Sequence, residues 1–244
     1  MVRAFAGLST MTSLLATARH LSVAVVPCNL AILAHVAKPP RPSWLYFVIA
    51  ALSWPVLKAF FRHRAFGTEN VPASGGFVLA ANHSSNFDPW PLGIPLFPRR
   101  FLRFMAKSEL FWFPLGKVLA AGGAFRVRRG ERDEEAIATA VDLCREGHAV
   151  VMFPEGTRRQ KGLRKKHEAR WHTGAARIAL EADVPLVPAG IVGTDRLGRL
   201  APLRVRYGPP VELGDLHDQA LPESAQIATE RLRGAIAELE ESLA

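Results

Sequence analysis

The pattern of apolar and polar positions is sharpest at residues 77–81, an uninterrupted apolar run that ends in a polar cluster holding Asn82, His83 and Asp88. A run of that length behind the turn-rich stretch from Gly67 to Gly76 predicts a buried strand. Asp88 is followed by Pro89, which signals a helix start: Asp can accept from free backbone N–H groups, and proline fits the first helical position. The pattern therefore predicts a strand that delivers His83 into a turn, with a short helix or turn beginning at Asp88. Further along, residues 99–106 read as a strand. Ser108 reads as the cap of a helix through Leu119, with Leu110, Phe111, Leu115, Val118 and Leu119 on its apolar face. Gly122 and Gly123 end that helix, and residues 124–127 form a short strand. A helix capped by Asp133 carries Ile137, Ala140, Val141 and Cys144 at helical spacing and closes at Gly147. Strands at 149–153, 186–192 and 203–207 and helices at 173–182 and 222–243 complete the reading. Strands alternating with helices predict an α/β fold, a mostly parallel sheet flanked by helices.

Ahead of this pattern, residues 1–40 give no firm element. The uncharged run at residues 21–34 is fourteen long and interrupted by Pro27 and Asn29, short of the roughly 20 residues a spanning helix needs. This part reads as a poorly defined N-terminal extension, ended by the linker signal Lys38-Pro-Pro-Arg-Pro42. Residues 42–57 are again uncharged and rich in aromatics, with Trp44, Tyr46, Phe47 and Trp54, and are followed by Lys58, Arg62 and Arg64. A basic, aromatic end on such a run fits a helix lying in a membrane interface, and a helix packed on the domain fits the same residues. The organisation expected is an extension at 1–40, a membrane-associating helical segment at 41–66 and an α/β domain at 67–244.

Charge narrows the partners. A net charge of +9 and a pI near 10.2 call for an anionic one: a membrane surface, a phosphorylated substrate or nucleic acid. No nucleic-acid-binding motif or aromatic-interleaved basic strand is visible, so nucleic acid is not expected. The two cysteines, Cys28 and Cys144, make neither a disulfide framework nor a zinc site and are compatible with a reducing compartment. The eight histidines do not repeat at ligand spacing near His83, so no metal site and no metal-dependent hydrolase is expected.

His83 and Asp88 are five residues apart. On one helix they would diverge by about 140°, but across a strand-to-helix turn they can meet. A carboxylate on one ring nitrogen orients the imidazole and leaves the other nitrogen to act as a general base. From these residues alone, a capping Asp and an ordinary loop histidine fit equally well. Three later stretches bear on the choice. Arg129 stands six residues after Gly123, Phe153-Pro-Glu-Gly-Thr-Arg158 follows an apolar run, and Val184-Pro-Leu-Val-Pro188 follows a helical pattern. With Asn82, His83 and Asp88, in this order and with these gaps, they resemble the four motif blocks of the glycerophospholipid acyltransferases, the lysophosphatidic-acid acyltransferase type. The resemblance runs from about residue 60 to about 210.

The resemblance implies that residues 67–244 are an acyltransferase domain on the cytoplasmic face of a membrane. A fatty acyl group would pass from acyl-CoA or acyl carrier protein to a lysophospholipid acceptor, 1-acyl-sn-glycerol 3-phosphate, giving phosphatidic acid. Glycerol 3-phosphate or another membrane alcohol is the alternative acceptor. It implies no cofactor beyond the acyl donor as co-substrate. His83 is then the base and Asp88 its orienting partner, with Ser84 to Phe87 as candidate backbone donors to an oxyanion. Asn82, Arg129, Glu155, Gly156, Thr157 and Arg158 are the candidate substrate-binding residues. Arginine suits the acceptor phosphate because its paired donors match phosphate oxygens. The basic run Arg158, Arg159, Lys161, Arg164, Lys165, Lys166 and Arg170 suits a donor's phosphates, an acyl carrier or anionic lipid, or is simply a solvated loop. Trp171-His172-Thr173-Gly174 departs from the family pattern, which often has an aromatic residue and a lysine before this glycine.

Overall fold

The computed structural model describes residues 44–127, 133–156 and 171–244. The extension expected at 1–40 lies outside them. The described chain begins with helix α1 (Trp44–Phe61), then strand β1 (Arg64–Phe66) and strand β2 (Phe77–Ala81). A short helix α2 (Pro89–Gly93) and a 3-10 turn (Ile94–Leu96) lead to β3 (Leu102–Lys107), α3 (Leu115–Ala121) and β4 (Ala124–Val127). Then come α4 (Asp133–Arg145), β5 (Ala149–Met152), α5 (Gly174–Ala182), β6 (Leu186–Val192), β7 (Arg204–Tyr207) and α6 (Leu221–Glu241).

Among the described residues, seven strands form one sheet in the order β1-β7-β6-β2-β5-β3-β4. Every neighbouring pair is parallel except β6 with β7, so the fold is the mostly parallel α/β sheet that the residue pattern predicts. β2 lies between β5 and β6 and all five of its residues are buried, which is why it reads as a continuous apolar run rather than an alternating one. Val78 and Ala80 point into a core shared with α4, α5 and α6, whereas Phe77, Leu79 and Ala81 join Leu92 and Leu96 on the opposite side. Helix α1 forms a further layer on that second side. Its Tyr46, Ala50 and Leu57, spaced to share one helical face, pack against Ile94, Leu203, Phe97 and Phe101.

Two contacts lock the entry to β2. Gly76 approaches the end of α4 so closely that an added Cβ would run into the Cys144 carbonyl, so only glycine fits. Arg100, which is buried, stacks its guanidinium 4.9 Å from the Phe77 ring and donates to the Gly75 and Gly147 carbonyls. It thereby ties the starts of β2 and β5 together.

Two expectations are revised. The sheet begins at β1, which pairs with β7 in register Arg64↔Arg204, so the α/β domain starts before residue 67 and the helical segment ends at Phe61. The single helix expected from Ser108 to Leu119 is instead a 3-10 turn (Ser108–Leu110), an irregular stretch and a shorter α3. Pro114 stands at the junction, where it has no N–H to continue a helical ladder. Leu110 and Val118, expected on a buried face, are exposed.

The link between α1 and β1 carries a pH-sensitive group. His63 is buried, and burial together with the nearby Lys58 ammonium pushes its pKa down to about 4, against a hydrogen bond involving the Pro91 backbone that acts the other way. The unfolded chain protonates this histidine near the ordinary 6.5, so between about pH 6.5 and 4 the unfolded state binds more protons and the fold loses stability as pH falls. Denaturant unfolding in detergent should show His63→Gln losing less stability than wild type on going from pH 7 to 5, by about 1–2 kcal/mol.

Candidate active site

The connections leaving β2 and β5 diverge. The path from β2 runs through α2 on one side of the sheet, and the path from β5 runs to α5 on the other. Neighbouring parallel strands whose exits part in this way leave a crevice at their C-terminal ends, where open α/β sheets bind ligands. His83 lies just past the end of β2, and Glu155 just past the end of β5.

Asn82 sets the exit angle. Its side-chain oxygen accepts from the Ile191 N–H at 2.8 Å and its amide nitrogen donates to the Ile191 carbonyl at 2.8 Å. The side chain thus prolongs the β2–β6 ladder by one step while the main chain turns away. Asn82 is fully buried and both ends of its amide are engaged. Expected among substrate contacts, it stands behind the site as part of its frame.

The turn that follows closes on one carboxylate oxygen. Oδ2 of Asp88 lies 2.8 Å from His83 Nδ1 and accepts from the backbone N–H groups of Ser84 at 2.7 Å and Ser85 at 2.9 Å. Asp88 is fully buried. The capping role expected of it is not the one it plays: its backbone is already helical, no side-chain cap bond forms, and the carboxylate folds back into the turn instead. The N–H groups of Ser84 and Ser85, expected as oxyanion donors, are given to Asp88, and that of Phe87 goes to Ser85 Oγ at 3.3 Å. An ionised carboxylate can only accept, so this contact selects the tautomer with the proton on Nδ1, in which a neutral imidazole leaves Nε2 as the accepting nitrogen. The imidazole is stacked on Phe153, centroids 4.2 Å apart and planes 22° from parallel.

Phe153 was not singled out from the sequence. The available signal was its position, the last apolar residue of the run before Pro154 and Glu155. Beyond it the chain turns sharply. Gly156 has φ +65°, a conformation that favours glycine, and an added Cβ would lie 2.6 Å from the His172 ring. The His172 N–H donates to the Pro154 carbonyl at 2.8 Å, so the residue noted above only as a departure from the family pattern braces this turn. Glu155 is fully buried beside it. The site therefore brings together His83, Asp88 and Phe153 by direct contact and places Glu155 and Gly156 at the neighbouring strand end. Arg129, Thr157 and Arg158 lie outside the described residues.

Residues 62–192 match the acyltransferase family, a span that holds every element of this site. The chain is 33% identical over 186 residues to a 1-acyl-sn-glycerol-3-phosphate acyltransferase of Bacillus subtilis, covering 74% of this chain and 89% of that one. The chain belongs to the acyltransferase family. Within it, this acyltransferase is of the 1-acyl-sn-glycerol-3-phosphate acyltransferase type. It is also 32% identical over 115 residues to the human 1-acyl-sn-glycerol-3-phosphate acyltransferase beta, which covers 46% of this chain and 39% of that longer protein. The crystal structure of the 1-acyl-sn-glycerophosphate acyltransferase PlsC from Thermotoga maritima superposes with a TM-score of 0.58 at 25% identity, over 80% of this chain and 79% of that one.

The amide clamp at the root of the acyltransferase's site is separable from chemistry. Asn82→Ala leaves the buried Ile191 N–H and carbonyl without their partners, so thermal or denaturant unfolding should show a loss of about 1–3 kcal/mol. Asn82→Asp keeps the shape but loses the donor to Ile191, and it should be destabilised as well.

Proposed function

We propose that this acyltransferase moves a fatty acyl group from a thioester donor, acyl-CoA or acyl carrier protein, to the free hydroxyl of 1-acyl-sn-glycerol 3-phosphate, giving phosphatidic acid. The observation that carries this reading is the His83–Asp88 pair at the crevice between β2 and β5, in a chain whose relatives bear that activity in their names. His83 Nε2 takes the proton of the acceptor hydroxyl, and the oxygen attacks the thioester carbonyl carbon. A tetrahedral oxyanion forms and collapses with cleavage of the carbon–sulfur bond. The imidazolium returns its proton to the departing thiolate, so the base is regenerated without an acyl-enzyme. Asp88 keeps the ring in the tautomer this sequence requires, and Phe153 keeps its plane fixed.

The acceptor's phosphate is assigned to Arg129 and Arg158, with Thr157 and the open backbone at Gly156 completing its site, and Glu155 positioning an arginine or the acceptor hydroxyl. The basic run after Arg158 is assigned to the anionic donor carrier or lipid. Membrane attachment is assigned to α1. Outside the face packed on the domain it exposes Trp44 and Leu52 on the far side and Trp54 and Phe60 on the flanks, and it is long and apolar enough to cross a bilayer by length and composition. With Tyr46, Ala50 and Leu57 held by the domain, the helix lies in the interface, one side on protein and the other on lipid.

Two experiments test the reading. His83→Ala should remove at least about a hundred- to ten-thousandfold of turnover while the protein remains folded, and Asp88→Asn should be severely impaired through loss of the oriented tautomer; near wild-type turnover in folded His83→Ala rejects the base. The second concerns the phosphate, assayed with labelled acyl donor against phosphorylated and unphosphorylated acceptors, including glycerol 3-phosphate. Arg129→Ala and Arg158→Ala should each lower kcat/KM about ten- to a hundredfold for a phosphorylated acceptor, since a charged hydrogen bond contributes about 1.5–3 kcal/mol. The unphosphorylated acceptors should be little affected. Loss confined to donor binding would reverse the assignment of the two substrates.

A further inference from the structure

A second apolar surface stands apart from α1. The stretch after β3 exposes Leu110, Trp112 (59%) and Phe113 (75%), and α3 adds Val118. Phe111, Trp112, Phe113, Gly116, Lys117, Ala120 and Ala124 line a shallow groove of about 440 Å³. The direction this surface faces follows from the sheet. Ala124 lines the groove, while its neighbour Phe125 packs toward the core shared with α4, α5 and α6, and successive residues of a strand point to opposite sides. So α3 lies on the same side of the sheet as α2, the side over which α1 is layered. β3 and β5 are parallel, so Ser108 to Phe113 leave the sheet at the edge where His83 and Glu155 stand. Phe87, between His83 and Asp88, is also exposed at that edge.

We propose that the loop and helix over residues 110–118 dock on an anionic phospholipid bilayer as a second contact independent of α1. The inference rests on the reading above only in taking the acceptor to be a membrane lipid. The construction of the patch selects lipid over a protein partner. Lys117 lies 5.3 Å from the Phe113 ring four residues before it, and Lys58 stands in the same relation to Trp54 on α1 at 5.9 Å. An aromatic body beside a lysine that reaches outward is the pattern of a side-chain pair at headgroup depth. The chain's net charge of +9 is complementary to an anionic surface, and the segment 107–118 itself holds Lys107 and Lys117 against Glu109. With contacts on α1 and at the site edge, the crevice opens at the level of the lipid headgroups, where a lysophospholipid's hydroxyl lies.

The test uses the full chain with Cys28→Ser and Trp112→Cys carrying an environment-sensitive fluorophore. Cys144 is buried and its thiol pKa is pushed up to about 12 by burial, so it does not compete for the label. The same label at Glu238→Cys, exposed on α6 across the sheet, is the reference. On vesicles of phosphatidylcholine with phosphatidylglycerol, emission from position 112 should shift to the blue and brighten, less so on phosphatidylcholine alone, while position 238 stays unchanged. Trp112→Ser with Phe113→Ser should weaken vesicle binding about tenfold or more and leave turnover of a short-chain, monomeric acceptor unchanged. An unchanged signal at 112 on vesicles that bind the protein, or equal shifts at 112 and 238, overturns the proposal. So does loss of turnover on the monomeric acceptor in the folded double variant, which would make the aromatics part of the substrate route. If the enzyme fails to acylate the phosphorylated acceptor while the signal at 112 still shifts, the substrate assignment falls and the docking surface stands.

Discussion

One carboxylate oxygen holds the turn after β2 in place. A fully buried charge is costly unless donors surround it, and Asp88 Oδ2 meets that requirement with two backbone N–H groups and the His83 ring. The same three bonds therefore solve two problems. They satisfy Oδ2, while the buried Oδ1 has no hydrogen-bond partner among the described residues, and they define the path of the chain from Asn82 to Asp88, so the imidazole cannot leave its orientation without stripping a buried carboxylate oxygen of a donor. The turn is in turn anchored to the sheet by the Asn82 amide on Ile191. The geometry of the His83–Asp88 pair is thus inherited from the stability of the strand end rather than from a flexible loop.

The residue pattern made most of the sheet legible. β2, β5 and β6 are buried on both sides, and such strands announce themselves as short apolar runs. The pairing of His83 with Asp88 was open to inference because both lie within one turn. What the sequence hid depended on distant partners or on position within the sheet. Nothing local ties Asn82 to Ile191, 109 residues away, and so it passed for a substrate contact. The commitment of the Ser84 and Ser85 N–H groups could not be seen before the carboxylate was placed. The helix expected from Ser108 to Leu119 failed for a different reason. Helical spacing of apolar residues is evidence of a buried face only where something covers it, and α3 sits over β4, which is the edge strand among the described residues.

The two sides of the sheet are consequently unlike. On one, α4, α5 and α6 share a core, and ion pairs such as Arg177 with Glu134 and Arg231 with Asp215 decorate the surface. Such exposed pairs add little stability, but they mark a face made for water. On the other side, large apolar residues of α1, the 110–118 stretch and Phe87 remain uncovered. An asymmetry of this extent in one chain marks an interaction face.

The contact between Gly156 and the His172 ring has a consequence on the scale of evolutionary change. Position 156 can accept a side chain only after position 172 has shrunk or moved, and even then the backbone at φ +65° resists it. Position 172 is freer: several smaller residues could stand there without touching the glycine. Substitution is therefore directional, with 172 free to drift while 156 stays fixed. This asymmetric epistasis allows the chain to carry an unusual residue beside an otherwise rigid turn without disturbing it.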